Sequence, residues 1–174
     1  QPASGAFEQV YRELAQSYSE LISIHVIGAL SGTLNSARLA AENVKTARIE
    51  LFDTQQVSMA EGWLVILAAR AAQAGATMDE ILALLRDTRE RVHLIGTLDT
   101  LEYAQRGGRL GKGAALVGTL LNVKPLISIV HGEIVPVENV RTKKRALERL
   151  EEIVLSSGPI QELAVIHAAA RSEG

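Results

Sequence analysis

The sequence predicts an α/β fold in two parts, a parallel-sheet αβα unit followed by an α+β unit with an antiparallel sheet. Three observations predict it. Between residues 21 and 74, apolar β-branched runs alternate with helix-forming stretches, the pattern of strands joined by crossover helices. Near Arg91 that alternation gives way to strand, helix, hairpin, helix and strand. Hydrophobic residues make up 47% of the 174, enough for one ordinary core or two small ones. The expected units are residues 1–90 and 91–174.

The elements follow in order. Ser4-Gly5-Ala6-Phe7-Glu8 opens a helix to about Ser17, with Phe7, Val10, Tyr11, Leu14 and Tyr18 on one face. Leu21 to Ile27 is a buried strand, and Ala37 to Val44 a helix carrying Leu39, Ala40 and Val44 at helical spacing. Arg48 to Phe52 is a second strand, ending at Asp53-Thr54. Ser58-Met59-Ala60-Glu61 has capping-box spacing and starts a helix that Gly75 stops; Thr77-Met78-Asp79-Glu80 repeats the signal. The second helix turns Ile81, Leu82, Leu84 and Leu85 inward. Val92 to Leu98 is a strand, and Asp99-Thr100-Leu101-Glu102 opens a short helix ending at Gly107-Gly108. Lys112 to Leu121 reads as helical. Val123 to Val130 and Ile134 to Val137 flank His131-Gly132-Glu133 as a hairpin, in which Pro125 and Pro136 favour an edge or a strand start. Arg141 to about Leu155 is a charged helix, and Glu162 to His167 a last strand. Two strands make a poor parallel sheet, so the chain reads as a fragment.

Composition excludes several classes of function. Cysteine is absent, which removes disulfides, thiolate chemistry and Cys-ligated zinc together. Aromatics at 3% argue against a base-stacking nucleic-acid surface. The apolar run at Trp63 is cut short by Arg70, and Gln1-Pro2-Ala3-Ser4 does not start a signal peptide; a cytoplasmic protein is expected. Net charge is −2, unevenly spread: Arg106 to Arg149 holds nine basic and three acidic residues, leaving the rest of the chain at −8. Such a band suits an anionic partner or a solvated helix face.

Motif searches narrow the chemistry. Gly107-Gly108-Arg109-Leu110-Gly111-Lys112-Gly113 fails the P-loop pattern at Arg106 and at Gly113, and it is not a dinucleotide fingerprint. It presents Arg109 to an anion or simply turns the chain. Gly28-Ala29-Leu30-Ser31-Gly32 misses the nucleophile elbow by one residue. His25, His93 and His167 lie at strand positions where a hydrogen-bonded core histidine is expected, and His131 stands alone. No catalytic constellation is present in the sequence, which favours binding over catalysis. The richest stretch is Leu30-Ser31-Gly32-Thr33-Leu34-Asn35-Ser36, between a strand's carboxyl end and a helix's amino end. Unpaired amides and the helix dipole suit that turn to an anion; Ser31 or Thr33 capping the helix is the alternative.

Several stretches together resemble the DegV family of bacterial fatty-acid-binding proteins. Gln1-Pro2 looks like the end of its Thr-Ser-Gln-Pro motif, and Ser23-Ile24-His25 with Leu30-Ser31-Gly32-Thr33 is similar to its strand and ligand turn. Asp53-Thr54 and Val57-Ser58-Met59 are similar to the next strand end. Thr100-Leu101-Glu102-Tyr103, Gly107-Gly108-Arg109-Leu110 and Leu120-Leu121-Asn122-Val123-Lys124-Pro125 resemble its longest signature, and Gly132 with Arg141-Thr142-Lys143-Lys144 the hairpin and following helix. Leu34 and Ala104 depart from the family's usual aromatic and Leu. The resemblance implies a DegV-like two-domain carrier, not an enzyme, that buries one long-chain fatty acid between its domains, with no cofactor. Ser31, Gly32 and Thr33 would hold the carboxylate, with Ser58 and Met59 as further ligand contacts. A separate fatty acid kinase would make the acyl phosphate for phospholipid metabolism, and Arg109 and Arg141 would face it. No nucleic acid and no stable membrane insertion are implied. The family's Thr, opening strand and helix would precede Gln1, so truncation at both ends is expected. Rival readings are a phosphoryl- or acyl-transfer enzyme and a nucleic-acid-binding regulator using the 106–149 band.

Overall fold

The computed structural model describes residues 2–110 and 123–168. The chain divides into two compact units, Gln1–Val92 and His93–Gly174. The first contains α1 (Ser4–Leu14), β1 (Glu20–His25), α2 (Thr33–Glu42), β2 (Arg48–Asp53), α3 (Ser58–Gln73) and α4 (Met78–Arg89). β1 and β2 pair in parallel, from Glu20↔Arg48 to His25↔Asp53, so both strands end at the same level.

Alternation along the strands builds two cores. Ile22, Ile24 and Phe52 face α3 and α4, where Leu64, Ile81, Leu82 and Leu85 are buried. Ile49 and Leu51 face α1 and α2 and pack with Tyr11, Ala37, Ala40 and Val44. The αβα layering is therefore present, with Leu84 only half-buried. Of the predicted α1 face, Phe7 and Tyr11 pack inward, while Val10, Leu14 and Tyr18 are exposed. The helix stops three residues short of Ser17, and its orientation follows Tyr11, whose hydroxyl is tied to Ser23 at 2.7 Å.

The two S/T-x-x-E signals have different outcomes. At α4 both halves of the capping box form: Thr77 Oγ1 accepts from Glu80 N, and Glu80 Oε2 accepts from Thr77 N at 2.8 Å. That bonding holds Glu80 below its ordinary pKa. At α3 no side-chain cap forms: Val57, which has no hydroxyl, occupies the N-cap position, and Ser58 is the first residue of the helix, with φ 59°. The Glu61 carboxyl is instead partly desolvated, which raises its pKa.

The second unit contains β3 (Ile95–Thr97), α5 (Glu102–Arg106), β4 (Lys124–Val130), β5 (Glu133–Val140) and α6 (Lys143–Ser156). Its antiparallel sheet has the order β3-β4-β5. The hairpin turn places His131 at φ 47° and Gly132 at φ 79°, the paired positive values of a two-residue turn matched to strand twist. Pro125 lies beyond the β3 ladder, which stops at Thr97↔Leu126, and Pro136 lies on the outer strand beside a register shift. Both prolines stay in the β4–β5 register, Pro125 opposite Asn139 and Pro136 opposite Ile127. Leu126, Val140 and Ala146 form the core, with Leu150 and Ile153 against them, and Thr142 caps α6 by accepting from Arg145 N at 3.1 Å.

Several expectations need correction. β3 spans three residues rather than 92–98. Asp99 does not cap α5: its carboxylate is taken by Lys124 Nζ at 2.9 Å, which lowers its pKa, and Thr100 Oγ1 accepts from Glu102 N instead. Residues 162–167 form no strand, and Leu163, Val165 and Ile166 are exposed. β-propensity alone makes no ladder when no partner strand lies alongside. His93 and His167 are accordingly exposed, whereas His25 is buried as expected. The helix predicted over Lys112–Leu121 lies outside the described residues.

Candidate functional site

The connection from β1 to α2 carries the candidate site. After His25 the chain passes Ile27, which is 1% exposed and donates its amide to Gln56 O at 3.0 Å. A turn over residues 28–30 follows, then Ser31, with Gly32 at the N-cap of α2. Ser31, Gly32 and Thr33 are all half-buried. Ser31 Oγ and Thr33 Oγ1 share a hydrogen bond of 2.8 Å, and Ser31 Oγ also accepts from Thr33 N at 3.3 Å. The capping alternative therefore describes one amide. Two hydroxyl protons serve one shared bond, so the second is available to a ligand. Gly32 N has no acceptor among the described residues, and it lies at the positive end of a 10-residue helix. Two donors and a dipole converge there, an arrangement suited to a carboxylate or phosphate.

A second connection, from β2 to α3, runs beside the first. Both Asp53 carboxylate oxygens accept from Gly28 N at 3.2 Å, and Asp53 Oδ1 accepts from Gln55 N at 2.9 Å. Thr54, fully buried, donates its hydroxyl to His25 O at 2.8 Å and accepts from Gln56 N at 3.2 Å. The carboxyl ends of the two strands are thus laced together by polar bonds. Ser58 is exposed at the start of α3, and half-buried Met59 lays its thioether over Gly62. Both therefore lie in the first turn of α3, the helix that this second connection enters.

Behind the turn, Tyr11 OH, Ser23 Oγ and His25 Nε2 form a chain of two 2.7 Å hydrogen bonds. Phe7 meets the His25 ring edge-on at 5.4 Å between centroids. Desolvation holds His25 below its ordinary pKa, against the opposing pull of the Asp53 charge. The same desolvation raises Tyr11. Burial thus favours the neutral imidazole of His25 over its charged form.

Arg109 and Arg141 lie in the second unit, both exposed. Arg109 donates to Gly107 O, and Arg141 directly precedes the α6 cap. Much of the basic band is neutralised locally: Arg106 pairs with Glu102, Lys124 with Asp99, and Arg145 and Arg149 with Glu152. Arg149 also meets Glu138 at 2.6 Å. A shallow groove of about 460 Å³ runs along α1 between Gly5 and Gln16 and includes none of the turn residues. Among the described residues no helix is long and apolar enough to cross a membrane, and no three His, Asp or Glu side chains gather as a metal site.

Gly28, Asp53, Thr54 and Gln56 hold the Ser31 turn and were not among the site residues expected from the sequence. The available signal was an Asp-Thr pair closing a strand whose neighbour ends at the same level.

Fold and turn together define a two-unit α/β protein with an anion-suited turn at the carboxyl end of a parallel sheet. The chain belongs to the DegV family: the family model described as "Uncharacterised protein, DegV family" matches residues 1–174. Protein DegV of Bacillus subtilis is 36% identical over 99% of this chain and 63% of its own. Among solved structures, a DegV family protein of Thermus thermophilus, described for its fatty acid binding, has a TM-score of 0.83 and 35% identity, covering 91% of this chain and 57% of that one. The fatty acid binding DegV family protein of Streptococcus agalactiae has a TM-score of 0.89 at 28% identity, covering 99% and 62%. The chain spans about three-fifths of the length of the curated relatives it matches.

Proposed function

We propose that the protein binds a long-chain fatty acid and holds its carboxylate at the Ser31–Gly32–Thr33 turn. The observation that carries this reading is the Ser31–Thr33 hydroxyl pair beside the Gly32 amide, at the amino end of α2. The fatty-acid-binding relatives support the ligand class. The turn donates to the carboxylate, while the affinity comes from burying the chain, at about 0.8 kcal/mol per CH₂. Ser58 and Met59 line the same ligand from the start of α3. The carboxylate is then presented to a separate fatty acid kinase for acyl-phosphate formation, with Arg109 and Arg141 facing that partner or the transferred phosphate. This chain supplies no catalytic group of its own.

Ser31→Ala tests the head-group assignment. Loss of one donor weakens fatty acid binding by about 1–2 kcal/mol, roughly 5- to 30-fold, without abolishing it. Wild-type affinity in the variant would refute the assignment.

A further inference from the structure

We propose that Asp53 is a positioning residue for this site: it fixes the Gly28 amide and thereby aims the Ser31 hydroxyl at the ligand. The inference rests on the carboxylate-binding reading of the turn. Asp53 closes β2 opposite His25, the last residue of β1, so its carboxylate stands where the β1–α2 connection begins. Both its oxygens take the Gly28 amide at 3.2 Å, and one also takes Gln55 N at 2.9 Å. Gly28 is pressed from two sides. A Cβ there would lie 2.9 Å from Asp53 Oδ2 and 2.9 Å from Leu34 Cδ2.

Leu34 sits in the first turn of α2, just past the ligand residues. Residues 28 and 34 are therefore both packed at one point, and the segment between them carries Ser31, Gly32 and Thr33. Without Cβ at Gly28 this closure is possible; without a carboxylate at Asp53 the amide loses its acceptors. The Asp53 backbone is held independently, since Arg89 donates to its carbonyl at 3.1 Å and stacks over Phe52 at 5.6 Å. A change confined to the carboxylate should therefore leave the strand in place. Asp53→Asn keeps an amide oxygen for Gln55 N and one side of the Gly28 N–H, but replaces the second acceptor of that N–H with an NH₂ and removes the charge that strengthened both bonds.

The test compares palmitate with hexadecanol, which shares the chain but lacks the carboxylate, on the purified protein and its variants. Asp53→Asn is expected to weaken palmitate about tenfold, the loss of one well-aimed charge-assisted bond, and to move hexadecanol less than about twofold. Gly28→Ala should produce the same selective loss by forcing the two packed groups apart. Combined with Ser31→Ala, Asp53→Asn should add little, because the group it aims is already gone. Equal losses for acid and alcohol, full additivity, or an unchanged palmitate affinity would each overturn the proposal. If a variant fails to fold, amide exchange of the wild-type protein still decides. Gly28 must gain more protection with palmitate than with hexadecanol, and equal protection overturns the proposal. A wild-type protein that does not prefer palmitate to hexadecanol refutes the carboxylate site itself, and the role of Asp53 with it.

Discussion

Thr54→Val isolates one buried hydroxyl that ties the two strand ends together. Valine matches threonine in shape, so the change opens no cavity. It removes the 2.8 Å bond to His25 O and the acceptor for Gln56 N. His25 O keeps a second donor in Thr54 N at 3.1 Å, but the Gln56 amide lies in a residue 95% buried and is left without an acceptor. A lost neutral bond costs about 1 kcal/mol and an orphaned buried amide about 1–3 kcal/mol, so at least about 2 kcal/mol is expected in all. For a unit of this size that lowers the thermal midpoint by about 8–16 °C. Thr54→Ser keeps the hydroxyl and loses one methyl, about 1 kcal/mol, and should fall between the two. Thermal and urea unfolding read the order Thr, Ser, Val. A valine variant as stable as the serine one would refute the bonding assigned here.

Other consequences are equally open to measurement. Burial depresses the His25 pKa, so the unfolded chain binds a proton that the fold does not. Stability should therefore fall as pH drops below about 6.5, and His25→Gln should flatten that slope; an unchanged slope would contradict it. Thr77→Ala removes the capping box of α4 and should cost about 1 kcal/mol in urea unfolding, whereas Ser58→Ala, which caps nothing, should cost a few tenths at most. Arg109→Ala should impair acyl-phosphate formation by an added fatty acid kinase while leaving lipid binding intact; loss of both would make Arg109 structural.

How far the sequence could be read follows from how local each signal is. Thr77 and Glu80 cap α4 through atoms three residues apart, and the Gly132 turn joins adjacent strands. Ser58 and Glu61 have the same spacing as Thr77 and Glu80, yet Ser58 lies inside α3 with a left-handed backbone and Val57 takes the N-cap position. The segment 162–167 has strand composition but needs a partner that no local pattern supplies. Asp53 and Gly28 lie 25 residues apart and meet only because β1 and β2 pair in that register. The Ser31 segment is legible as a strand-to-helix connection, while the residues that hold it are not.

The central claim is that this protein carries a fatty acid. Native mass spectrometry of the purified protein, followed by solvent extraction and identification of released lipid, tests it most directly. The account predicts one fatty acid per chain, partly shed in Ser31→Ala. A spectrum that stays lipid-free after incubation with added fatty acid would contradict it.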